Sequence, residues 1–88
     1  MVSDAYDTDL VLGGIVNDPA GSDVGYITVM NTITCKSFMF RRLSDLVSVD
    51  AVYRNRTTEV PYYYYLVGNT SSGPELLFRF DSIGNYDV

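Results

Sequence analysis

Eighty-eight residues with a formal charge of −5, 47% hydrophobic and 14% aromatic residues, one cysteine and no histidine exclude more than they assign. A lone thiol bars an intramolecular disulfide, and without histidine neither Ser–His nor Cys–His nucleophile pairs nor an imidazole base can form. A chain this short buries only about 60% of its unfolded surface, so stability must come from a dense core, self-association or a partner.

Residues 1–9 carry Asp4, Asp7 and Asp9 without one basic residue. They read as an acidic arm ahead of a β core over residues 10–88, the two making one domain. Asp7-Thr8-Asp9 has an aspartate where the aspartic-protease triplet needs a glycine for its close turn. The three aspartates also lack the central glycine and distal glutamate of a calcium loop. No catalytic residue, metal site or cofactor is assigned. The start of the chain has neither the basic nor the apolar region of a signal peptide, and no apolar run nears the roughly 20 residues of a membrane span. The expected setting is a virion or a host cytoplasm, without a membrane partner.

Leu10–Val16 reads as a strand, with a bulge or bend at Gly13-Gly14. Residues 17–23 form a loop by composition. From Gly25 to Cys35, Ile27, Val29, Ile33 and Cys35 alternate with Tyr26, Thr28, Met30, Thr32 and Thr34. Period two predicts a half-buried strand, with Cys35 as a buried small hydrophobe and a tight turn at Lys36-Ser37. Phe38–Leu43 follows as a further strand. Next, Val47, Val49, Ala51 and Tyr53 alternate with Ser48, Asp50, Val52 and Arg54. Valine content favours strand here over a helix spanning Asp45 to Tyr53.

This middle region is basic, with Lys36, Arg41, Arg42, Arg54 and Arg56 against Asp45 and Asp50. Interleaved with Phe38, Phe40 and Tyr53, it has the composition of a platform for single-stranded nucleic acid. The acidity of the whole chain repels phosphate, so nucleic acid is a secondary expectation.

Four consecutive tyrosines are the strongest hint of function. In a strand Tyr62 and Tyr64 face one way, Tyr63 and Tyr65 the other. Pro61 cannot donate to a ladder, so the strand is expected to start at a sheet edge open to a partner. Residues 68–74 form a turn into the alternation Leu76, Phe78, Phe80 against Leu77, Arg79, Asp81. The fold expected is all-β, a small antiparallel barrel or sandwich of about six short strands with little or no helix.

The expected function is that of a non-enzymatic structural or interaction protein assembling through the edge at Tyr62, Tyr63, Tyr64 and Tyr65. Asp4, Asp7 and Asp9 would engage Arg41, Arg42, Arg54 or Arg56 of a neighbouring subunit. A small bacteriophage virion component, such as a capsid decoration, head–tail joining or tail protein, suits that composition. The alternatives are an acidic inhibitor of a host factor and a single-strand nucleic-acid-binding barrel.

Overall fold

A computed structural model describes residues 1–17, 19, 21–73, 75–81 and 85–87. Every regular element among them is a strand: β1 Val2–Tyr6, β2 Asp9–Asn17, β3 Asp23–Asn31, β4 Lys36–Leu43, β5 Leu46–Arg54, β6 Tyr63–Thr70, β7 Glu75–Asp81 and the two-residue β8 Tyr86–Asp87. They form two antiparallel sheets, β1-β2-β3-β4 and β5-β6-β7-β8, each a meander of sequential neighbours. The all-β expectation holds, with eight strands rather than about six. Of the stretch 45–53, residues 46–53 are strand, not helix, and Asp45 lies in the turn before it.

The sheets pack face to face around one apolar core. Val11, Ile27, Val29, Met39 and Leu43 come from the first sheet, and Leu46, Tyr64, Leu66, Phe78 and Phe80 from the second. In β7 the alternation works as written: Phe78 and Phe80 are buried while Leu77 and Arg79 are exposed. The close approach of β5 to the first sheet depends on glycine. A Cβ on Gly13 would lie 2.7 Å from a Val52 methyl, and one on Gly25 would lie 3.0 Å from Leu46 Cβ. Gly13 and Gly14 therefore make no bulge. Their register with β3 is unbroken, and they clear space for side chains instead.

Three local expectations are corrected. Of residues 1–9, read as an acidic arm, Val2–Tyr6 form β1, paired along its whole length with β2, and Asp9 opens β2 itself. Strand β3 stops at Asn31, whose side-chain oxygen accepts hydrogen bonds from the Ile33 and Thr34 N–H groups. That turn spans 32–35, so the hairpin does not turn at Lys36-Ser37. Ile33 and Cys35 are exposed rather than inward, and Cys35 takes a left-handed φ of 59°. The asparagine competed with the ladder and won.

Strand β5 departs from simple alternation. Its pairing with β6 skips Val47 and Asp50. Each skipped residue is an extra one that flips the faces. Two flips cancel, so Leu46, Val52 and Arg54 face inward on one period of two, Val49 between the shifts joins them, and Val47, Ala51 and Tyr53 turn out.

Candidate functional site

The tyrosine run enters β6, and β6 has neighbours on both sides, β5 and β7. It is not an edge, so its backbone groups are used within the chain and no partner strand can add there. Pro61 precedes the strand without placing it at the border of the sheet.

The two tyrosine faces have separate roles. On the inner face Tyr64 is fully buried and Tyr62 packs edge-on against it, with ring centroids 6.0 Å apart. Here Arg54 is 2% exposed, its guanidinium 4.0 Å from the Tyr62 ring centroid, 5.3 Å from Tyr6 and 5.8 Å from Tyr64. Arg54 Nε donates to Asp9 Oδ2 at 2.9 Å, and the Tyr64 hydroxyl donates to the same oxygen at 2.9 Å. Arg54 Nη1 donates to the carbonyls of Asn55 and Thr57. A charge can sit this deep because it is paired, hydrogen-bonded and faced by aromatic rings.

Burial, with help from the Asp9 carboxylate, drives the Tyr64 pKa far above its usual 10.0. Its folded form holds the proton more tightly than the unfolded chain, so this contribution to stability is present below pH 10 and is lost as pH rises beyond it.

Around the rim, Arg54 N–H donates to Asp4 Oδ2 at 2.8 Å, and Arg56 donates to Asp4 Oδ1 and to the Ala5 carbonyl, each at 2.7 Å. Partial burial pushes the Asp4 carboxyl up. The hydrogen bonds from Arg54, Arg56 and the Ala5 N–H together outweigh that and hold it below the usual carboxylate value. Asp4 and Asp9 thus meet Arg56 and Arg54 inside one subunit. The attraction between acidic start and basic middle is real, and it closes the fold rather than joining neighbours. Asp7 stays apart, exposed in the β1–β2 turn with a φ of 55°.

On the outer face Tyr63 and Tyr65 are half-buried and join Tyr53 of β5. Ring centroids lie 6.2 Å apart for Tyr53–Tyr65 and 6.5 Å for Tyr63–Tyr65. The guanidinium of Arg79 is 4.8 Å from the Tyr63 centroid, and that of Arg56 is 5.1 Å from Tyr53. Exposed Val47 and Leu77 extend this face. Leu77 and Arg79 were visible in the sequence as the outward half of β7. Their place beside the tyrosines required the β6–β7 register, Val67 opposite Leu77 and Tyr65 opposite Arg79.

Arg41 and Arg42 are exposed on β4, in the other sheet, with Lys36, Phe38 and Phe40. The set resembling a nucleic-acid platform is therefore divided. Phe40 stacks on Tyr26 at 5.6 Å on the outside of the first sheet, Tyr53 and Arg56 lie on the second, and Arg54 is inside. No protein-family model, curated protein or solved structure matches this chain.

Proposed function

We propose that this chain is a non-enzymatic interaction protein that associates with a second copy of itself through the outer face of β5, β6 and β7. The observation that carries the reading is the outward cluster Tyr53, Tyr63 and Tyr65, three amphipathic rings gathered on one surface with exposed Val47 and Leu77. Tyrosine suits such a surface because it contributes large contact area, loses little side-chain entropy and keeps a polar tip. The charges of the face favour a copy of the same chain. Along β7 the outward residues run Glu75, Leu77, Arg79, Asp81, and a two-fold axis near Leu77 would bring Glu75 of each subunit to Arg79 of the other.

The setting proposed is a repetitive virion assembly, a bacteriophage capsid decoration, head–tail joining or tail protein. A short, acidic, strand-built subunit with a self-complementary face supports it. Light scattering coupled to size-exclusion chromatography tests the association. At micromolar concentration the expected mass is a multiple of 9.8 kDa, and Tyr53→Ser with Tyr65→Ser returns it to one chain. A wild-type protein that elutes as a 9.8 kDa monomer overturns the proposal.

A further inference from the structure

Four strands border the two sheets, and they are unequally protected. The β1 border is covered, since Arg56 donates to the Ala5 carbonyl and Arg54 N–H to Asp4. Strand β5 packs closely on the first sheet through Gly13 and Gly25, and β8 has two residues among those described. Strand β4 is different: eight residues long, paired on one side with β3, and exposed at Lys36, Ser37, Phe38, Phe40, Arg41 and Arg42. Its irregularity is confined to one end, where the register with β3 skips Phe38. From Met39 to Leu43 the pairing with Gly25–Val29 is regular, so the other side of that stretch offers an ordered row of backbone groups.

We propose that the Met39–Leu43 edge binds an extended acidic segment of a partner protein by strand addition. Charge selects the occupant. Lys36, Arg41 and Arg42 are three of the six basic residues in a chain of charge −5, and β4 contains no acid. Pairing β4 with β4 of a second copy would bring two such basic strands side by side, which opposes self-pairing. The same charges attract a strand carrying glutamate or aspartate, and Phe40 stacked on Tyr26 supplies an apolar shelf for alternate side chains. This edge belongs to the opposite sheet from the tyrosine face, so the proposal stands independently of it.

The probe is a capped heptapeptide alternating glutamate and valine, titrated into the full chain and followed by amide chemical shifts. Shifts centred on Met39–Leu43 are expected. Arg41 and Arg42 face opposite ways along the strand, so the glutamates pair with one of them. Weakening should be roughly tenfold in Arg41→Glu with Arg42→Glu, one exposed pair being lost and reversed and the other site adding repulsion. The same peptide with alternate backbone nitrogens methylated should not bind, which tests backbone pairing without altering the protein. Absence of binding, equal binding of the lysine–valine or N-methylated peptide, or shifts on the tyrosine face instead overturns the proposal. So does a peptide-free oligomer that the β4 variant abolishes, because the occupant would then be a second copy.

Discussion

At the scale of single residues, Arg54 carries the most consequence. Its guanidinium is out of water, and Asp9 supplies the countercharge at 2.9 Å. Such a pair is weak support for stability relative to an apolar replacement, but removing one partner strands a charge, at a cost of about 3–5 kcal/mol. That is a large share of the roughly 5–15 kcal/mol that holds a domain folded. Asp9→Leu is therefore expected to lower the urea midpoint severely, while Asp9→Leu combined with Arg54→Met recovers much of the loss. A double variant no more stable than the single one would refute this account. Asp4 gives a pH signature. With its folded pKa below the unfolded value of 3.8, its contribution is complete above that pH and is lost as pH falls through the folded value. Asp4→Asn should flatten the acid limb of a stability–pH curve, and Asp7→Asn, at an exposed turn residue, serves as the comparison.

At the scale of elements, the hairpins are set by turn chemistry and the sheet contacts by small residues. Gly68 in β6 faces the irregular stretch of β5, where an added Cβ would fall 2.3 Å from the Ser48 carbonyl oxygen. Backbone cannot swing aside as a side-chain tip can, so Gly68→Ala must push β5 from β6. A cost of about 1–3 kcal/mol is expected from such overpacking. Gly73, with a φ of 106° and open space around its Cβ position, separates the two glycine roles. Gly73→Ala costs about 1–2 kcal/mol through backbone strain alone. Thermal unfolding of both variants, with the β5 and β6 amides followed by hydrogen exchange, distinguishes them. Faster exchange across β5 and β6 belongs to Gly68→Ala only.

At the scale of the whole molecule, the sandwich turns two unlike surfaces in opposite directions. One is aromatic and carries charges of both signs, the other a basic strand border. They should respond differently to salt. Between about 0.1 M and about 1 M the screening length falls from about 10 Å to about 3 Å. Association through Tyr53, Tyr63 and Tyr65 rests largely on buried aromatic area and should persist, whereas acidic-peptide binding at β4 should weaken sharply. Measuring subunit mass and peptide affinity across that range checks both. Loss of the oligomer alongside the peptide would mean that one electrostatic surface serves for both.

What the sequence by itself determined was local. Period-two alternation in β3, β7 and the tyrosine run was enough to specify strands and an all-β class, because pleat is a property of a few consecutive residues. The expected turns were shorter than read, Asn17, Asp23 and Gly68–Thr70 belonging to strands, with residues 18, 20 and 74 outside the described residues. Tertiary structure alone decided who neighbours whom. It placed β6 between β5 and β7, turned Val49 inward between the two extra residues of β5, and brought Asp4 and Asp9 to their arginines within one chain. A strand reads the same at a border or in the middle of a sheet. The difference lies in hydrogen bonds to residues far away in the chain, and a single register shift reverses every side chain beyond it.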